Sequence, residues 1–120
     1  MSKNKQQKTN YSEYGKLPPN AVEFEEAIIG GILNYPDRAF IALRVLQPDF
    51  FYKTSHGHIF RAIKDIVAAD MIPTSEMITN NLTKNGFIYD VGGSYYLYHL
   101  ETKYTTTTNM EFQSLVVLDK

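Results

Sequence analysis

Residues 18–33, PPNAVEFEEAIIGGIL, constrain this chain more than any other stretch. Two adjacent prolines end whatever precedes them, and Asn20 then stands where a helix N-cap belongs. Glu23 follows three residues later, at capping-box spacing, within reach of the free amides of the first turn. Projected at about 100° per residue, Ala21, Val22, Phe24, Ile28, Ile29 and Ile32 cover one broad side. Glu23, Glu26, Gly30 and Asn34 cover the other. Glu25 breaks the pattern, because its angle places it among the apolar residues. The stretch therefore predicts a helix buried along most of one side, with a carboxylate inside that region or at its edge. The remaining elements must supply the surface that covers it.

The length, 120 residues, predicts a single helical domain over residues 18–120 preceded by a disordered polar tail, residues 1–17. Four tail lysines with Tyr11 and Tyr14 could meet phosphates and bases, but the tail has no arginine. A formal charge of −1 argues against phosphate binding through net charge. The chain has no cysteine, hence no disulfide framework, thiolate nucleophile or cysteine zinc site. No apolar run approaches a membrane span and no signal peptide is visible, so no membrane partner and a cytoplasmic setting are expected.

Downstream the pattern stays helical. Pro36 disfavours continuation of helix 1, and helix 2 is expected over residues 37–46 with Ala39, Phe40, Leu43 and Leu46 inward. Three aromatics follow, Phe50, Phe51 and Tyr52; at least one should anchor its loop and another stand exposed. Helix 3 is expected from a Thr54–Ser55 cap to about residue 69, with Ile59, Phe60, Ile63, Ile66 and Val67 on one face. Thr74 or Ser75 caps helix 4, whose apolar stripe is only Ile78 and Leu82. Asn85–Gly86 permits a hairpin, but the preceding residues lack period-two alternation, and Gly86 is better read as a left-handed helix C′ residue. Gly92–Gly93 leads as a close turn into helix 5, residues 94–104. There Tyr96, Leu97, Leu100 and Tyr104 share one face and Tyr95, Tyr98 and His99 the opposite one. After four threonines, Thr108 or Asn109 caps helix 6, with Phe112, Leu115, Val116 and Leu118 as its apolar side.

Little here assembles chemistry. No phosphate-binding loop of the G-x-x-x-x-G-K-[ST] type occurs. His56 and His58 point to different faces of a helix and cannot easily share a metal, so His56 is expected to pack on the first turn and His58 to be solvated. Glu25 could be a general acid or base with a raised pKa. As a structural clasp it would instead meet Arg44, Arg61 or the amides of a helix end. An enzyme built on Glu25 and His56 lacks a second catalytic group that can be placed near either. Helices 2 and 3 are the expected cover for helix 1, with Gly30 and Gly31 where a neighbour comes close.

The order of the motifs is more specific than the helices. Pro18, Pro19, Val22, Glu23, Glu25, Ile28, Ile29, Gly30 and Gly31 come first. Phe51, Tyr52, His56, Ile59 and Phe60 follow, and then Gly92, Gly93, Tyr96, Leu97 and Leu100. Together they resemble the N-terminal domain of the bacterial replicative DNA helicase of DnaB type, over about residues 18–118. The resemblance implies an all-α fold, a small orthogonal bundle of about six short helices. It also implies a non-catalytic role: oligomerisation as a dimer and in the collar of a hexamer, and docking of primase or a helicase loader in DNA replication. DNA would be met only through the full-length ring. ATP and Mg would belong to a motor domain that this chain does not contain, and no cofactor, metal or catalytic residue is expected here. The expected protein-interaction residues are Tyr95, Tyr98 and Phe50; Glu25, Gly30, His56, Gly86 and Gly93 are the expected structural ones. A different reading is a winged-helix-like DNA-binding module, with helix 3 as reader and a hairpin across residues 79–91.

Overall fold

At the centre of the molecule lies α1 (Ala21–Asn34), nine of whose 14 residues are buried, Glu25 among them. The computed structural model describes residues 21–106 and 109–119. The other helices are α2 (Ala39–Leu43), α3 (Thr54–Ala68), α4 (Ser75–Lys84), α5 (Gly93–Lys103) and α6 (Met110–Asp119), with 3-10 turns at Pro36–Arg38 and Pro48–Phe50. No strand occurs among the described residues. The expected tail, the Pro18–Pro19 stop, the Asn20 cap and Thr108 lie outside them.

The winged-helix reading fails here, since residues 79–84 continue α4 and a turn follows instead of a hairpin. Gly86 takes φ 83° beyond the helix end. The Phe87 amide donates to the Leu82 carbonyl at 2.8 Å and the Gly86 amide to Thr83 at 3.2 Å, the paired bonds of a Schellman motif. At the other end of α4, Thr74 Oγ1 accepts from the Met77 amide at 3.2 Å. Gly92 and Gly93, at φ 99° and 73°, turn the chain into α5, a conformation that side chains with a Cβ rarely adopt. Asn109 caps α6, its Oδ1 accepting from the Phe112 amide at 3.0 Å.

Four expectations need correction. The helix expected over residues 37–46 shrinks to a 3-10 turn and five α-helical residues, because Pro36 starts a tight turn that consumes its first residues. Phe40, expected inward, is 54% exposed and lies under the Arg44 guanidinium at 5.3 Å. Thr54 is already the first residue of α3, and Lys53 ahead of it makes no side-chain cap bond. On α6 the buried residues are Met110, Gln113, Ser114 and Val117, leaving Phe112, Leu115 and Leu118 about half exposed.

The cover of α1 differs as well. Its main partners are α6 and α5, ahead of α3. A Cβ on Gly30 would stand 2.7 Å from the Leu100 carbonyl oxygen and 2.7 Å from Tyr104 Cβ, and one on Gly31 would stand 3.0 Å from Met110 Cε. The glycines are therefore the places where neighbouring helices come close, but those helices are α5 and α6. Small residues won over the broad apolar faces of helices 2 and 3, because the missing side chains let backbones approach within van der Waals distance.

Candidate functional site

α1, α3 and α5 each send one polar side chain to a common point. Glu25 and His56 are fully buried, and Glu25 Oε1 accepts from His56 Nδ1–H at 2.8 Å. On the other side of the ring, His56 Nε2 lies 2.7 Å from the Tyr96 hydroxyl. The rings of His56 and Tyr96 lie 12° from parallel, centroids 5.9 Å apart. Glu25 Oε2 also accepts from the Tyr52 amide at 2.6 Å, and Oε1 makes a long 3.4 Å contact with the Lys53 amide. The carboxylate thus meets His56 and the two amides that lead into α3, in line with the expected amides of a helix end. The loop it holds is anchored further by Phe51, buried against Phe60 with ring centroids 4.8 Å apart.

Burial, and then the negative charge of Glu26, Tyr104 and Glu25, push the Tyr96 phenol up to about 12. A second polar contact lies beside it, where the Tyr104 hydroxyl donates to Glu26 Oε1 at 2.8 Å and Lys103 Nζ approaches at 3.4 Å. Burial and that hydrogen bond raise the Tyr104 pKa strongly. The side-chain amide of Asn34 donates to the carbonyls of Gly30, Glu101 and Tyr104 at 2.8–2.9 Å, tying the C-terminal ends of α1 and α5 together.

Sequence reasoning joined Glu25 and His56 only as an enzyme short of a further catalytic group, and gave neither Tyr96 nor Asn34 a part in a site. The signal for Tyr96 was its place on the inward face of helix 5. A Glu–His–Tyr chain has the parts of a proton relay, yet its Glu and His offer no surface to a substrate. Two grooves among the described residues lie elsewhere. One, about 230 Å³, runs between α4 and α5 and includes Glu76, Tyr98 and Glu101. The other, about 330 Å³, runs along α3 beside the Pro48–Phe50 turn and includes Asp49, His58 and Arg61. Nor does His58 form a metal site with His56; it is half-buried, not solvated, and stacks on Phe87 with centroids 3.9 Å apart. No group of three His, Cys, Asp or Glu able to hold a metal occurs among the described residues.

The outward residues are aromatic. Tyr95 is 78% exposed and Tyr98 64%, both on the outer face of α5. Phe50 and Tyr52 stand exposed on the loop clasped by Glu25. Among the described residues no helix is long and apolar enough to cross a membrane.

The chain is similar to known proteins in sequence and in fold. The replicative DNA helicase DnaB of Rhodothermus marinus is 31% identical over 110 residues, 92% of this chain and 12% of the relative. The replicative DNA helicase DnaC of Bacillus subtilis (strain 168) is 32% identical over 107 residues, 88% of this chain and 23% of the relative. The chain therefore spans less than a quarter of the length of either. The crystal structure of the N-terminal domain of DnaB helicase from Mycobacterium tuberculosis superposes with a TM-score of 0.74 at 26% identity, covering 83% of this chain and 69% of that one. The sequence model of the family described as DnaB-like helicase N terminal domain matches residues 17–119. With that match across nearly the whole chain, the protein belongs to the family of DnaB-like helicase N-terminal domains.

Proposed function

We propose that this chain is a non-catalytic interaction domain of a replicative DNA helicase. It self-associates as part of the collar of a hexamer and docks primase or a helicase loader during DNA replication in the cytoplasm. ATP hydrolysis, with its Mg, and DNA contact belong to the motor and the assembled ring. The family match supports the helicase setting. The observation that carries the interaction role is the pair of tyrosines on the outer face of α5, Tyr95 and Tyr98, exposed beside a groove while Glu25 and His56 are fully buried. Large amphipathic rings on a rigid helix favour protein contact at low entropic cost.

The test is the double variant Tyr95→Ser with Tyr98→Ser, measured by sedimentation and by titration with primase. A fall of at least tenfold in affinity is expected. If both self-association and primase binding are unchanged, the tyrosine site is abandoned.

A further inference from the structure

The C-terminal end of α4 carries a dipeptide that the interaction role does not use, Asn85–Gly86. An asparagine followed by glycine is open to attack by its own chain, because no Cβ on the second residue shields its amide nitrogen. Asn85 is exposed, and a Cβ built on Gly86 would meet nothing within 4 Å, so solvent reaches the amide. The fold nevertheless holds the reacting atoms apart. Asn85 has ψ 1°, which eclipses the Gly86 nitrogen with Asn85's own nitrogen and turns it about a third of a turn away from the side chain. The Gly86 N–H donates to the Thr83 carbonyl at 3.2 Å. Asn85 Nδ2 donates to the carbonyl and to Oδ1 of Asn81, both at 3.0 Å. What secures this arrangement is slight. α4 buries only Ile78 and Leu82, and beyond its end Phe87 stacks on His58 with centroids 3.9 Å apart.

We propose that Asn85–Gly86 is a self-modification site, where Asn85 deamidates through a cyclic imide at a rate set by the opening of α4. Once the end of the helix opens, ψ is free to turn. The Gly86 nitrogen, its proton passed to hydroxide, attacks Asn85 Cγ. The new N–Cγ bond closes a five-membered imide, the Cγ–Nδ2 bond breaks, and ammonia leaves with a proton from water. Water then opens the imide. Addition at Cγ gives aspartate, and addition at the backbone carbonyl gives isoaspartate, in which the chain runs through the former side chain. Water is the one reagent consumed, and nothing is oxidised or reduced. Either product places a carboxylate at the C-terminal end of α4, where the helix dipole disfavours negative charge. Isoaspartate also lengthens the backbone by one carbon between the Leu82 carbonyl and the Phe87 amide, which now pair at 2.8 Å. The Schellman pair then loses its spacing, and the Phe87 ring is drawn from His58. Each modified chain therefore opens more readily at this end than an intact one.

The experiment incubates the 120-residue chain at mildly alkaline pH, folded and in urea, and follows Asn85 by peptide mass mapping. Conversion adds one mass unit, and isoaspartate separates from aspartate by chromatography. Asn85 should convert at least tenfold more slowly in the folded chain than in urea. Two variants then loosen α4 without touching the reacting dipeptide. Phe87→Ala removes the ring stacked on His58, and Thr74→Ala removes the oxygen that caps the other end of the helix. Each should remain helical by circular dichroism, convert severalfold faster than the wild type when folded, and match the wild-type rate in urea. Thr74 is exposed, so its arm stands even where Phe87→Ala does not fold. A folded wild type that converts as fast as the unfolded one, a mass gain that maps away from Asn85, or folded variants no faster than the wild type overturns the proposal.

Discussion

Glu25 and Gly30 stand five residues apart on α1, less than one and a half turns, and neighbouring helices close on both, yet by opposite means. At Glu25 the contact is made by charge and hydrogen bonds, through His56 to Tyr96 of α5 and through the Tyr52 amide to the aromatic loop. At Gly30 it is made by the absence of a side chain, so that the α5 backbone reaches α1 directly. The polar contact is directional and fixes where a loop and two helices sit relative to α1. It carries a desolvation cost that only complete pairing offsets. The glycine contact has no direction, and its gain is dispersion between closely packed backbones. One end of the helix specifies position and the other supplies close packing.

The change that most strongly tests this comparison is Glu25→Ala. It strips the partner from the buried His56 Nδ1–H and from the Tyr52 amide at once. Breaking a buried, paired carboxylate in this way should destabilise the domain by about 3–5 kcal/mol, read as a loss in urea or thermal unfolding. Glu25→Gln keeps the shape and one acceptor and should lose clearly less. If the alanine variant melts with the wild type, the cluster holds nothing, and the contrast between the two ends of α1 disappears.

Gly30→Ala addresses the other end. The added methyl must displace the Leu100 carbonyl or the Tyr104 Cβ, both backbone-proximal atoms that cannot rotate away. Overpacking of this kind costs about 1–3 kcal/mol, and roughly 1 kcal/mol of it is returned by the better helix propensity of alanine. A net loss of about 1–2 kcal/mol is expected. A stabilised Gly30→Ala would mean that the two helices are not in backbone contact.

These two joints were unequally legible in the sequence. Gly30 could be read locally, since a glycine on a helix wants a reason and close approach is the usual one. Which helix approaches could not be read, because apolar faces on helices 2 and 3 look like better cover than the mixed face of α5. Glu25 was visible as an exception to its own pattern. Its partner was not, because His56 is 31 residues away and Tyr96 a further 40, and no periodicity links separate helices. Hydropathy misassigned α6 for a related reason. Its buried side contains Gln113 and Ser114, chosen for fit against α1, while three larger apolar residues face outward. The Schellman end at Gly86 and the Thr74 cap were legible because turn and cap chemistry is contained within a few residues.

The smallest expected effect belongs to the outermost link of the polar chain and sharpens the comparison by asking how far the clasp extends. Tyr96→Phe removes the hydroxyl that meets His56 Nε2 but leaves Glu25, the loop amides and the ring packing in place. Because Tyr96 is only partly buried, water can replace part of the lost bond, and a loss of about 1 kcal/mol at neutral pH is expected. Its dependence on pH is more telling. The phenol of Tyr96 is raised from 10.0 to about 12 in the folded chain. The unfolded chain therefore gives up that proton first as pH rises. Stability linked to Tyr96 is complete below pH 10 and falls away as pH climbs toward 12. Tyr104 is raised in the same direction and contributes a parallel loss. Denaturant titrations of the wild type and Tyr96→Phe between pH 8 and 12 should therefore converge, the variant starting lower and declining less steeply. Parallel curves would show that the phenol proton is not held by the fold, and the clasp would then end at His56.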